Sequence, residues 1–94
     1  MDPQRFTSEI RYWKPEQAGG LAVVDVPPPV VDALGGLKQQ RVHGTIASQA
    51  FTSNVMPAGG GRLALSVSKA MLASAGLAVG DTAEVSISGV GRDG

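Results

Sequence analysis

The sequence predicts a mainly β protein: a six-stranded pseudo-barrel made of two β-β-α-β repeats, with a short helix at each end. Three observations support this fold class. Apolar residues alternate with polar residues in several short runs, glycine and proline separate these runs, and the same order of patterns occurs twice. Alternation is typical of a strand that has one face in a core. The length of 94 residues, with 43% hydrophobic and 17% charged residues, suits one domain with one core.

The first repeat contains three predicted strands and one predicted helix. The strands are Phe6–Trp13, Leu21–Val26 and Gln39–Ser48, and the helix is Pro29–Leu34. Turn residues at Lys14–Gly20 separate the first two strands. Proline suits the first turn of a helix, where its missing N–H has no partner to lose, and Gly35-Gly36 is typical of a helix end.

The second repeat has the same order of elements. Its predicted strands are Ala50–Met56, Leu63–Val67 and Asp81–Val90, and its predicted helix is Lys69–Ala75. Ser68 is a typical N-cap residue for this helix, and Gly76 is a typical end. Pro57–Arg62 is predicted to be a flexible loop. Gly80-Asp81 predicts a tight turn in which the aspartate side chain bonds the backbone two residues further on.

The two repeats superimpose when the chain is shifted by 41 positions, which places Val26 on Val67 and Ile46 on Ile87. The inward faces then coincide without a gap, and in the last strand Ser88 is assigned to the outward face. Each half has too few strands to bury its apolar face, so we expect residues 4–46 and 47–90 to close one barrel about a pseudo-twofold axis. We expect a single domain over residues 4–90, a flexible tail over 91–94, and a monomer, because one chain supplies both halves.

Charge and composition argue against several classes of protein. Eight basic and eight acidic residues cancel, so the basic excess typical of nucleic-acid-binding proteins is missing. The chain has no cysteine, which excludes disulfides and thiolate chemistry. We see no signal peptide, and no apolar run approaches the ~20 residues of a membrane helix. We therefore expect a cytoplasmic protein with neither a membrane nor a nucleic acid as its partner.

Residues 63–87, LALSVSKAMLASAGLAVGDTAEVSI, resemble a bacterial family of domains of unknown function, numbered nineteen-oh-five (DUF1905). The first half agrees, with Phe6 opening a strand, Val26-Pro27 before the first helix, and Val42 to Ile46 before Phe51. The family is often associated with YdeI/OmpD-associated bacteriocin-protection proteins. The resemblance implies a double-split β-barrel, similar to AbrB- and MazE-type transcription factors, in which two chains each supply one half. It implies no biochemical activity.

The sequence departs from the family pattern in three places. Leu72 stands where relatives usually carry a basic residue, and Ser48 or Gln49 replaces a glycine that relatives often have before Phe51. The helical partner segment to which relatives are fused does not occur in this sequence. Roles that depend on that basic residue or on that segment are therefore not implied.

Residues with catalytic or ligand-binding chemistry are few. His43 is the only histidine and has no cysteine or closely spaced carboxylates near it, so no metal site is predicted. No serine lies in a G-x-S-x-G turn, and Gly59–Arg62 lacks the Gly-Lys-Ser/Thr ending and precedes a strand instead of a helix. We predict no catalytic residue and no cofactor.

Four residues on the outward faces of two strands are the candidate binding site: Arg11, Trp13, Arg41 and His43. If their strands are neighbours, the four form one polar and aromatic patch. Arginine with aromatic residues is the composition of interface hot spots and of base-stacking surfaces. The alternative is structural, with the tryptophan covering a helix or loop on the barrel wall.

We therefore expect a non-enzymatic binding module that contacts a protein partner or a small apolar ligand. One alternative is a DNA-binding regulator, which rests on fold analogy alone. Another is a small barrel enzyme that acts on a hydrophobic metabolite. A deep pocket lined by Phe6, Tyr12, Phe51 and Leu65 would favour the enzyme, and a filled core would count against it.

Overall fold

The computed structural model describes residues 3–14 and 20–89. Three predictions fall partly or wholly outside these residues. They are the turn at Lys14–Gly20, of which 15–19 are not described, the end of the last strand at Val90, and the flexible tail over 91–94.

Six strands and two helices follow the order β-β-α-β twice. The elements are β1 (Gln4–Tyr12), β2 (Ala22–Val26), α1 (Pro28–Ala33), β3 (Gln40–Ile46), β4 (Gln49–Gly59), β5 (Arg62–Val67), α2 (Lys69–Ala75) and β6 (Thr82–Gly89). The strands form a closed barrel in the order β1-β2-β5-β4-β3-β6, and all neighbours are antiparallel. The predicted mainly β fold, with a closed six-stranded barrel and two short helices, is confirmed.

Neither half of the chain closes the sheet by itself. β2 of the first half pairs with β5 of the second, and β3 pairs with β6. The set of neighbouring strands stays the same when β1, β2 and β3 are exchanged with β4, β5 and β6. This pairing is what a pseudo-twofold axis between the halves requires.

The strand registers correct the single shift of 41 positions. Ile10 pairs with Val24 in the first hairpin, and Val55 pairs with Leu65 in the second. Val24 and Leu65 are 41 positions apart, but Ile10 and Val55 are 45 apart. The connection between β1 and β2 is longer than the turn between β4 and β5, so the first strand of each half needs the larger shift.

With the larger shift, β1 and β4 align as QRFTSEI (residues 4–10) and QAFTSNV (residues 49–55). Four of these seven positions are identical, and the last pairs isoleucine with valine. The shift of 41 positions misses this match, because it brings other residues of the two strands together. The match agrees with the strand pairing.

Aliphatic side chains fill the interior of the barrel. The large side chains that are fully buried there are Ile10, Val24, Val26, Val42, Ile46, Val55, Leu63, Leu65, Val67, Val85 and Ile87. Val23 is also fully buried, but it lies on the other face of β2. Burial of one Val, Leu or Ile side chain stabilises a fold by about 1.5–3 kcal/mol, so this core provides most of the driving force. Ser88 pairs with the exposed His43, so it lies on the predicted outward face, although it is buried.

The two helices differ in how deeply they are buried. α2 covers the predicted residues, and its N-cap Ser68 accepts a hydrogen bond from the Met71 N–H at 3.1 Å. α1 begins and ends one residue earlier than predicted. Val30 and Val31 of α1 are buried, whereas no residue of α2 is buried. α2 is therefore the more loosely packed helix.

The predicted flexible loop at Pro57–Arg62 is wrong. β4 continues to Gly59 and β5 starts at Arg62, so only Gly60 and Gly61 connect them. These two glycines have φ of 62° and 75°, the left-handed conformation of a two-residue hairpin turn. Gly60 and Gly61 form a tight turn, because glycine adopts these angles without strain.

Candidate functional site

The four predicted site residues do not form one patch, because their strands are not neighbours. β6 lies between β1 and β3. The pairing of β1 with β6 ends at Thr82, whereas His43 of β3 pairs with Ser88, six residues further along β6. At about 3.3 Å per residue this is roughly 20 Å. The residues separate into two pairs, Arg11 with Trp13 and Arg41 with His43.

Arg11 is held by an acidic residue of the neighbouring strand. Its Nε and Nη2 donate to Oδ2 and Oδ1 of Asp25 at 3.0 and 2.8 Å. These hydrogen bonds, opposed by desolvation, raise the pKa of Arg11 and lower the pKa of Asp25, with Arg62 adding a smaller lowering. The guanidinium group of Arg11 is thus engaged within the barrel wall.

The other three predicted residues have no common partner. Trp13 is half-buried, and its backbone N–H donates to the Leu21 carbonyl at 2.7 Å. Arg41 and His43 are exposed and pair with Asn54 and Thr52 of β4. A binding role for these residues stays a prediction.

The pocket that would favour an enzyme is not formed. Leu65 is fully buried in the core, and Phe6 is half-buried. Tyr12 and Phe51 line two different clefts, one on each side of α2. The four residues therefore do not surround one cavity, and the centre of the barrel is packed with side chains.

The largest of these clefts lies at the end of the barrel beside α2 and has a volume of about 270 Å³. We call it the α2 cleft. Its apolar walls are formed by Tyr12, Leu21, Ala22, Val67, Leu72 and Val79, and Gly20, Ser68 and Lys69 complete the lining. The sequence did not predict the α2 cleft. Leu21 could have indicated it, because this apolar residue lies on the outward face of its predicted strand, and in the structure it is 44% exposed.

Three neighbouring strand ends form one side of the α2 cleft. Tyr12 pairs with Ala22, and Ala22 pairs with Val67 on its other side. β5 then leads through Ser68 into α2, which brings Leu72 over the cleft. The cleft therefore combines segments of both halves of the chain.

A turn after α2 holds Val79 at the cleft. The Ala78 N–H donates to Oδ2 of Asp81 at 2.9 Å, and the Gly80 N–H donates to the Ile10 carbonyl at 2.8 Å. Asp81 was predicted to bond the backbone two residues further on, but it accepts from a residue three positions earlier. The backbone turns back at Gly80, where φ is 102°, and this brings the Ala78 N–H to the carboxylate.

Three side-chain donors in the α2 cleft are unused within the described part of the chain. Ser68 Oγ accepts from the Met71 N–H, which caps the helix, and its own O–H has no acceptor there. The Lys69 ammonium group and the Tyr12 hydroxyl group form no hydrogen bond or ion pair with residues 3–14 or 20–89. The cleft is thus mainly apolar, with three side-chain donors that no described residue engages.

A family model described as a domain of unknown function (DUF1905) matches residues 6–87. The chain belongs to the DUF1905 family. The match extends from β1 to β6 and so includes every strand of the barrel, which confirms the resemblance seen in the sequence. A search of curated proteins found no match.

Two further depressions mark the surface of this DUF1905 barrel. One, of about 190 Å³, lies between α2 and β4 and includes Phe51 and Met71. The other, of about 250 Å³, is polar and lies on the outer wall at Arg5, Ser48 and Glu84.

Among the described residues, no group of three His, Asp or Glu side chains could hold a metal ion, and neither helix is long and apolar enough to span a bilayer.

Proposed function

We propose that this DUF1905 barrel is a non-enzymatic binding module that holds a small apolar ligand in the α2 cleft. The observation that carries the proposal is an apolar cleft at the barrel end whose few side-chain donors are not engaged by any described residue. Ligand sites in proteins are typically concave and apolar, with a few polar groups that orient the ligand. The packed interior leaves surface clefts for a ligand, and of the three described above the α2 cleft is the most apolar.

The volume of the α2 cleft limits the size of the ligand. Its value of about 270 Å³ is slightly below the ~300 Å³ lower end of typical ligand pockets. At ~30 Å³ per water molecule this space corresponds to about nine waters, so a ligand of about nine or ten heavy atoms fits. Each buried CH₂ group contributes about 0.8 kcal/mol to the free energy of binding, and a short aliphatic chain contains several such groups.

The loose packing of α2 also supports a ligand there. Leu72 is half-buried, whereas Val31, at the corresponding position of α1 under the shift of 41, is buried. An apolar ligand would remove more of the Leu72 side chain from water. The α1 end of the barrel achieves the same burial with its own side chains.

A titration with 1-octanol, followed by backbone amide NMR shifts, tests the proposal. We expect the shifts to be largest at Ala22, Val67, Leu72 and Val79. Leu21→Ala removes part of the cleft wall and should weaken binding about fivefold. Leu37→Ala is the matched control, because Leu37 is 51% exposed and does not line the cleft, whereas Leu21 is 44% exposed and does. Absence of shifts, shifts elsewhere, or equal effects of the two variants would overturn the proposal.

DNA binding is the outcome that would replace this function. A module without a basic excess should show no tight binding to duplex DNA in a fluorescence anisotropy titration at low salt. Arg11 supports this expectation, since its charge is offset by Asp25. Binding that weakens steeply as salt is added would contradict it.

We also propose that the two halves are an internal repeat and that the protein acts as a cytoplasmic monomer. The exchange symmetry of the strand pairing and the shared residues of β1 and β4 support the repeat. A closed barrel has no free sheet edge to pair with a second copy, which supports the monomer. Sedimentation equilibrium should give the mass of one chain, and a dimer mass would contradict the proposal.

A further inference from the structure

We propose that the ligand of the α2 cleft carries a carboxylate beside its apolar body, and that Lys69 and Tyr12 bind this carboxylate. The inference rests on the proposed function and specifies the class of ligand. It is based on the charged residue of the cleft, because the apolar walls alone do not determine the charge of the ligand.

Among residues 3–14 and 20–89, Lys69 is the only charged residue that lines the α2 cleft. Its ammonium group forms no ion pair within these residues, and none of their Asp and Glu side chains lines the cleft with it. A cationic ligand would therefore meet a like charge without any compensating carboxylate. An anionic ligand gives Lys69 the partner that the protein does not provide.

The Tyr12 hydroxyl group is the second donor. A neutral phenol donates one hydrogen bond, and a lysine ammonium group donates up to three. A carboxylate has two oxygens and accepts from both residues at once. Hydrogen bonds to a charged acceptor are stronger than neutral ones, so this head group gains more than a neutral hydroxyl group would.

The ligand class is therefore a short aliphatic carboxylate with the chain in the cleft and the head group at Lys69. Tyr12 ends β1 and Lys69 begins α2, so these residues come from opposite halves of the chain. Ser68 fixes the start of α2 by accepting a hydrogen bond from the Met71 N–H, and its own O–H can still donate to the head group. Only the closed barrel brings the two donors to the same cleft.

Three probes with the same eight-carbon chain test the inference: octanoate, 1-octanol and octylammonium. Titrations followed by amide NMR shifts at pH 7 should rank octanoate as the tightest, about fivefold tighter than octanol, and octylammonium as the weakest. Added salt should reduce the difference between octanoate and octanol, because Lys69 is exposed and its charge is screened.

Variants then assign the effect to the two residues. Lys69→Gln should weaken octanoate about fivefold and leave octanol unchanged, and Tyr12→Phe should weaken octanoate about twofold. Lys38→Gln is the control, since Lys38 is an exposed lysine that does not line the cleft. An equal loss with Lys38→Gln would overturn the inference.

The failure of this inference can be distinguished from the failure of the proposed function. If octanol binds at the cleft and octanoate binds no more tightly, the carboxylate proposal is overturned and the apolar ligand site stands. If none of the three probes shifts the amides of the cleft, both proposals are overturned.

Discussion

The carboxylate of Asp25 on β2 accepts two hydrogen bonds from the guanidinium group of Arg11 on β1, at 2.8 and 3.0 Å. Arg11 pairs with Val23, so the contact runs diagonally to the next outward residue of β2. About a third of each side chain is exposed, at 35% and 32%. Water therefore screens the pair, which we expect to stabilise the fold by about 1 kcal/mol or less.

Asp25→Asn should lower the free energy of unfolding by an amount that depends on pH. The hydrogen bonds from Arg11 lower the pKa of Asp25 in the folded state. The stabilisation is then fully present above the unfolded pKa of about 3.9, and it is lost as the pH falls through the lower folded pKa. Urea denaturation should show a loss of up to about 1 kcal/mol at pH 7 and a smaller loss at about pH 3. The control is Asp32→Asn, because Asp32 is an exposed aspartate of α1 that forms no ion pair with a described residue. If Asp25→Asn lowered the free energy of unfolding equally at both pH values, the prediction would be contradicted.

Gly44→Ala should strongly destabilise the barrel. A Cβ atom at Gly44 would overlap the backbone carbonyl oxygen of Ser86, because β3 and β6 approach closely there. The strands would have to separate, and we expect a loss of about 3 kcal/mol in thermal or urea unfolding.

Gly89→Ala is the matched control for this substitution. The nearest atom to its added Cβ is the side-chain Oε1 of Gln40 at 3.3 Å, which can move. We expect a change within about 0.5 kcal/mol. Similar losses for the two variants would show that the approach of β3 to β6 is not the cause.

Residues better suited to the turn between β3 and β4 should raise the free energy of unfolding. Ala47 and Ser48 have φ of 49° and 72°, a left-handed conformation that favours Asn and Gly. Ala47→Asn with Ser48→Gly should raise the free energy of unfolding by about 1 kcal/mol. Ser74→Gly, an exposed change within α2, should lower it by about 0.5–1 kcal/mol, and the same sign for both would refute the explanation.

A circular permutant tests the equivalence of the halves. Gln4 pairs with Ile87 in the same way as Gln49 pairs with Ile46, so the start of β1 and the end of β6 correspond to the hairpin of β3 and β4. A chain opened between Ala47 and Ser48, with its original ends joined by a short linker, should fold with the same circular dichroism spectrum. A chain opened between Leu65 and Ser66 should not fold, because β5 pairs with both β2 and β4. Failure of the first permutant would contradict the equivalence.

The internal equivalence was predicted only in part. The shift of 41 positions holds for Val26 and Val67, which lie in tightly patterned strands. It fails for β1 and β4 because the connection between β1 and β2 is longer than the turn between β4 and β5. The alternation of apolar and polar residues within strands does not show the length of a connection. The matching residues QRFTSEI and QAFTSNV became recognisable once hydrogen-bond registers fixed which residues correspond.

The candidate site was not predicted, for a related reason. Tyr12 and Lys69 line one cleft although they are far apart in the sequence. Arg11 and His43 were expected to share a patch, but the order of strands around the barrel separates them by β6. The partner of Arg11, Asp25, lies on the strand that follows β1 and could have been considered as its ion pair.

The amino-acid sequence determined the class of fold, the faces of most strands and the bounds of α2, because alternation, N-cap serine and terminal glycine act over a few neighbouring residues. Only the tertiary structure decided which strands are neighbours, how β1 and β4 correspond, and where a cleft remains open. These depend on closing a barrel from both halves, which brings together residues that no local pattern relates.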